Sequence, residues 1–99
     1  MPILIVYNAY ANEKCRLPLQ YLKESTEYQS NNNVKLADEY FDIGLSLHQL
    51  LGEECDSNNY RENINMLIKQ HTVNQRALCS SGVRTDCFKN TNRMKKFGE

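Results

Sequence analysis

NVKLADEYFDIGLSLHQLLG, residues Asn33 to Gly52, is the longest stretch with a clear helical signature. Leu36, Tyr40, Ile43, Leu47 and Leu50 recur at steps of four, three, four and three, which is one face of an α-helix. Val34, Ala37, Phe41, Leu45 and Leu51 widen that stripe, leaving Asp38, Glu39, Asp42, Ser46 and Gln49 as its main polar positions. A helix apolar over most of its circumference is expected at the centre of a fold, with neighbours on two sides. Asn33 is a credible N-cap, and Asp38 and Glu39 suit the positive end of the helix dipole. Gly44 costs about 1 kcal/mol in a helix interior relative to Ala, which predicts a compensating close approach by a neighbour. Gly52 is expected to end the helix in the left-handed conformation.

Upstream, PILIVY (residues 2–7) is apolar and β-branched without alternation, so Ile3 to Tyr7 reads as a strand buried on both faces. Asn8 to Lys14 reads as a loop, and Pro18 as the first residue of a helix running to about Gln29. Downstream, Asp56 or Ser57 is expected to cap a helix from Asn58 to about His71. Tyr60, Ile64, Leu67, His71 and Leu78 form its apolar side. Thr72 to Leu78 either continues that helix or becomes a strand. A short helix over Asp86 to Phe97, anchored by Phe88, completes the chain. The expected fold is α+β and mostly helical: an N-terminal strand, then a three- to four-helix bundle with a central antiparallel helical hairpin.

Within the central stretch, Tyr40-x-x-Ile43-Gly44-x-x-Leu47 resembles the first helix of a tetratricopeptide repeat, with its aromatic, aliphatic, glycine and large residue at these intervals. The second helix departs from that pattern. Asp56 and Asn63 fall where small residues are expected, only Tyr60 fits, no proline follows near Ile68, and no second repeat occurs. The resemblance implies an antiparallel pair of central helices, a shape often used to bind partners.

The length of 99 residues bounds the chain to one domain, 1–99, with 82–99 as a basic tail. Lys plus Arg equals Asp plus Glu at 12 each, which argues against a nucleic-acid coat or a polybasic membrane binder. No apolar run approaches the ~18 residues of a membrane span. The N-terminus has no positive n-region and only a short apolar run, so the expected location is the cytoplasm. There the four cysteines, Cys15, Cys55, Cys79 and Cys87, default to free thiols. Asn occurs 12 times, which fits an AT-rich genome such as a phage or mobile element carries.

Motifs for chemistry are scarce. His48 and His71 stand seven and eight residues before Cys55 and Cys79, too far for the paired ligands of structural zinc sites. Cys15, between Lys14 and Arg16, has the positive neighbours that favour a thiolate. Asp38 with Asp42 and Glu53 with Glu54 are carboxylate pairs, and four glycines leave little scope for a phosphate cradle. No enzyme, cofactor or metal is expected.

The reading by elimination is a protein-binding regulator or inhibitor, of the kind a phage uses to block a host machine. From Glu24 to Glu62 nine acidic residues face only Lys35 and Arg61, so the contact surface is assigned to Asp38, Glu39, Asp42, Glu53 and Glu54. Tyr10, Tyr21 and Tyr28 join them, since Tyr brings apolar area with a polar tip. The lone strand must pair with Thr72–Leu78, with Val83–Thr85, with a second copy to form a homodimer, or with another protein's sheet edge. The alternative is nucleic-acid binding by the basic tail, through Arg84, Lys89, Arg93, Lys95 and Lys96 with Phe88 for stacking. A third class is a small Cys-dependent metal or redox protein.

Overall fold

The computed structural model describes residues 2–87, with side chains from Glu13 onward. Three helices follow one another: α1 (Pro2–Ser30), α2 (Val34–Leu51) and α3 (Asn58–Ser80). No strand occurs among the described residues. The expected α+β fold with an N-terminal strand is therefore corrected to a small all-helical one. The reason lies in the backbone. A strand over Ile3–Tyr7 needs a partner edge, but Thr72–Leu78 lies inside α3 and Val83–Thr85 is irregular. A helix satisfies its own N–H and C=O groups and needs no edge. The homodimer through that strand falls with it, as does the loop over Asn8–Lys14. Pro2 instead takes the first helical position, where its missing N–H costs nothing.

Pro18 does not start a helix but sits inside α1. Its ring removes one helical hydrogen bond, a cost of about 3 kcal/mol. Complete burial of the ring in the bundle offsets it. α1 ends in a Schellman motif. Asn32 is left-handed at φ 61°, Asn33 N–H donates to the Tyr28 carbonyl at 2.9 Å, and Asn32 N–H to that of Gln29 at 3.0 Å. The chain then turns at once into α2. Asn33 caps it as expected, its Oδ1 accepting from Leu36 N–H at 3.3 Å. Ser57 caps α3 in the same way, accepting from Tyr60 N–H at 3.2 Å. Gly52, by contrast, is right-handed at φ −56°. The left-handed glycine is Gly82, at φ 81° behind α3.

Cross-contacts give the directions. Ser25 meets Ala37 and Tyr21 meets Tyr40, so α1 and α2 run antiparallel. Asp38 meets Gln75, Phe41 stacks on His71 and His48 meets Tyr60, so α2 and α3 also run antiparallel. The helix packed closely against both others is α1, not α2 as expected. Its Leu22 joins Phe41, Leu45, Cys55, Tyr60 and Ile64 in the core, with Cys15, Leu19, Leu51, Leu67 and Ile68 around them.

The buried face of α2 is also the second of its two apolar sets. Ala37, Phe41, Gly44 and Leu45 are buried, whereas Ile43 is 41% and Leu50 80% exposed. Small residues decide this. A Cβ on Gly44 would lie 2.9 Å from Leu22 Cγ and 3.2 Å from the Pro18 carbonyl oxygen, so only the Ala37–Gly44 face lets α1 approach.

Two disulfides replace the expected free thiols. Cys15–Cys55 ties α1 to the α2–α3 turn across 40 residues, and Cys79–Cys87 closes a short loop behind α3. The thiolate reading of Cys15 and a metal site built from thiols fall with that pairing. The expected helix over Asp86–Phe97 lies almost entirely outside the described residues.

Candidate functional site

Three polar constellations join the helices, and their burial decides what each can do. Ser25 and His71 come first, because a serine beside a histidine is the pattern of an activated nucleophile. Ser25 Oγ lies 3.2 Å from His71 Nδ1, yet Ser25 is 0% and His71 1% exposed. The hydroxyl donates its only proton to the Ala37 carbonyl at 2.6 Å. The bond to His71 must therefore run from Nδ1–H to Oγ. A hydroxyl with its proton committed and no route for substrate is a structural tie, not a nucleophile. The His71 ring stacks on Phe41 at 3.7 Å, and its carbonyl accepts from Gln29 Nε2 at 3.1 Å. Gln29 Oε1 accepts from Asn74 Nδ2 at 3.1 Å. This network fixes the register of α1 against α3.

The second constellation surrounds Arg84, which is 3% exposed. Its Nη1 donates to Asp38 Oδ1 at 3.0 Å and to Gln75 Oε1 at 3.3 Å, and its Nη2 to Asp38 Oδ2 at 2.5 Å. Nε lies 2.9 Å from Asp86 Oδ1. Gln75 Nε2 closes the ring by donating to Asp38 Oδ1 at 3.2 Å. Two residues assigned from sequence to different surfaces, Asp38 to protein binding and Arg84 to nucleic acid, are thus partners in one bidentate pair. The sequence signal was their opposite charge; nothing in their separation of 46 positions marked them as neighbours.

The third pairs His48 with Tyr60, Nδ1 to hydroxyl at 2.9 Å. Burial pushes His48 below the ordinary imidazole value of 6.5 and Tyr60 above the ordinary phenol value of 10.0. Among the described residues no three His, Cys, Asp or Glu side chains come together as a cation site.

The outer face of α1 and α2 is open to a partner, and Met66 and Val73 are exposed on α3 as well. Tyr40 stands between two tyrosines of α1, its ring centroid 5.0 Å from Tyr28 and 5.6 Å from Tyr21. The Tyr28 hydrogen bond, and then the charge of Tyr28, push Tyr40 above the ordinary 10.0. Leu17 lies four residues before Tyr21 and so shares its face of α1; it is 43% exposed. On α2, Ile43, Leu47 and Leu50 continue the line from Tyr40 at steps of three, four and three. Leu47 is half-buried, while Ile43 and Leu50 stand in solvent.

Glu39 and Asp42 on α2, next in sequence to Tyr40 and Ile43, and Glu53 and Glu54 in the turn beyond Leu51 are exposed carboxylates. Of the residues assigned to protein binding, the structure brings Tyr21 and Tyr28 against Tyr40, leaves Glu39, Asp42, Glu53 and Glu54 exposed, and takes Asp38 into the Arg84 pair. The sequence reading missed Tyr40, Ile43 and Leu50 as surface residues, because their periodicity was that of a core stripe. The Tyr10 side chain, Phe88, Lys89, Arg93, Lys95 and Lys96 lie outside what is described. No described helix is long and apolar enough to cross a membrane. Comparison with family models, with curated proteins and with solved structures returned no match.

Proposed function

We propose that this chain is a non-catalytic protein-binding regulator or inhibitor, and that the outer face of α1 and α2 is its contact surface. The observation that carries the reading is the apolar line Tyr40, Ile43, Leu47 and Leu50, flanked by Tyr21 and Tyr28, with four exposed carboxylates near it in sequence. An α-helix showing large apolar residues at i, i+3, i+7 and i+10 fits a hydrophobic groove on a partner. Those carboxylates set the charge of that groove. Glu39, Asp42, Glu53 and Glu54 face only Lys35 among the exposed cations of α2. A second copy would place like charges against like, which costs affinity, so the partner is a protein whose groove is rimmed by Lys or Arg.

Two disulfides support work in an oxidising compartment rather than the cytoplasm that the N-terminus led one to expect. The nucleic-acid alternative loses Arg84, whose guanidinium is already bonded to Asp38.

The test is affinity capture with three proteins, paired with sedimentation of the wild type alone. Ile43→Glu with Leu50→Glu should abolish capture, and Glu39→Lys with Asp42→Lys should weaken it at least tenfold. Both double variants should melt with the wild type. Capture indifferent to both, or a wild-type dimer that Ile43→Glu dissociates, overturns the proposal.

A further inference from the structure

We infer that Cys79–Cys87 is a reducible clasp that holds Arg84 on Asp38, so that a dithiol reductant switches the acidic end of α2 while the helical core stays intact. The two disulfides sit in different surroundings. Cys55 is buried and belongs to the core cluster, and the Cys15–Cys55 bridge is packed among core side chains. Cys79, in the last turn of α3, and Cys87, beyond its end, are both half-buried, as Cys15 is, but neither packs in the core cluster. Thiol–disulfide exchange needs an attacking thiolate to reach a sulfur along the S–S axis, so access ranks Cys79–Cys87 first for reduction.

The clasp closes around one side chain. Behind Ser80 the chain turns through left-handed Gly82, and Arg84 N–H donates to the Leu78 carbonyl at 3.1 Å. Arg84 then reaches across α3 to Asp38 of α2, past Gln75. Few apolar contacts hold this turn, since Ser81, Gly82, Val83, Thr85 and Asp86 are all exposed. Besides its backbone hydrogen bonds to the end of α3, the disulfide and the guanidinium tie it down. Removing the disulfide restores conformational freedom to the segment, which the backbone hydrogen bonds at Ser81, Gly82 and Arg84 and the Arg84 guanidinium must then order without that crosslink.

The step balances. The Cys79–Cys87 Sγ–Sγ bond breaks, both sulfurs become thiols by taking two electrons and two protons, and the dithiol reductant becomes a disulfide. Asp38 then loses the Arg84 guanidinium beside Glu39 and Asp42, which makes the first two turns of α2 more negative. The inference is independent of the proposed binding face, since its readouts need no partner.

The experiment titrates the intact protein with dithiothreitol, alkylates at intervals and maps the labelled cysteines by mass spectrometry. Amide hydrogen exchange is followed in parallel on the wild type and on Cys79→Ser/Cys87→Ser. Cys79 and Cys87 should be labelled at least tenfold faster than Cys15 and Cys55. In both the reduced protein and the variant, the Arg84 amide should lose at least tenfold in protection while those of Phe41 and Ile64 keep theirs. Asp38→Asn should give the same loss at Arg84 with the disulfide still formed. Reduction of Cys15–Cys55 first or together with Cys79–Cys87, or an Arg84 amide as protected in the serine variant as in the wild type, overturns the clasp.

Discussion

Replacing Gly44 by alanine tests the packing on which the whole bundle depends. In an ordinary exposed helix the change stabilises by about 1 kcal/mol, because glycine has more backbone freedom to lose. Here the new methyl would lie 2.9 Å from both Cγ and Cδ2 of Leu22 and 3.2 Å from the Pro18 carbonyl oxygen. Cγ is not the mobile end of a side chain, Leu22 is fully buried, and the carbonyl belongs to the backbone of α1. The helices must therefore part by a few tenths of an ångström to about 1 Å, loosening contacts along Leu22, Phe41 and Leu45. Overpacking of this kind costs about 1–3 kcal/mol, so propensity is outweighed and the net loss is about 1–2 kcal/mol. For a chain this short that lowers the melting temperature by on the order of 5–15 °C. Thermal melts by far-UV circular dichroism, disulfides intact, read it directly. A double-mutant cycle sharpens the test: Leu22→Ala should cost about 2–5 kcal/mol alone but distinctly less in the Gly44→Ala background. An alanine variant as stable as the wild type, or strict additivity with Leu22→Ala, would refute the close approach.

Three other outcomes follow from the same geometry. Asp38→Asn takes the bidentate carboxylate from the Arg84 guanidinium, 3% exposed, and should cost about 2–4 kcal/mol in urea unfolding, whereas Glu39→Lys on the open face should change stability by ~0.5 kcal/mol or less. Equal effects of the two would show that Asp38 is an ordinary surface carboxylate. Cys15→Ser with Cys55→Ser opens a 40-residue separation and should lose about 4 kcal/mol by chain entropy, seen as a lower urea midpoint than that of Cys79→Ser/Cys87→Ser. His48 is held below 6.5, so the unfolded chain binds its proton first. Its contribution to stability is complete above 6.5 and lost as pH falls from there through the folded value. Melts across that range should slope downward toward acid, and His48→Gln should flatten the slope.

The legible parts of this protein were those that local chemistry specifies. Asn33 announces its cap through a side-chain oxygen placed three residues before an N–H it can accept from, and of the two candidates for α3, Asp56 and Ser57, Ser57 takes the role. The stripe Tyr60, Ile64, Leu67, His71 and Leu78 reads as one face, and all of it but the half-buried Leu67 is buried. Gly44 implied a neighbour at close range, and α1 is there. The same local logic failed over residues 2–7, where β-branched residues suit either a pleated strand or a helix and only a pairing edge elsewhere decides. It failed again at Pro18, whose missing hydrogen bond marks a boundary unless burial outweighs it.

Periodicity, capping and composition thus determined by themselves that the chain is mostly helical, with an amphipathic α3 and an acidic middle. Which face of α2 is core was not in its periodicity, because both faces are apolar; the approach of α1 at Ala37 and Gly44 settled it and left Ile43 and Leu50 in solvent. Nor could spacing reveal that Asp38 meets Arg84, that Ser25 meets His71, or which cysteines pair. Such contacts join residues from 8 to 46 positions apart, and side chains that far along a chain become neighbours only once the helices have packed.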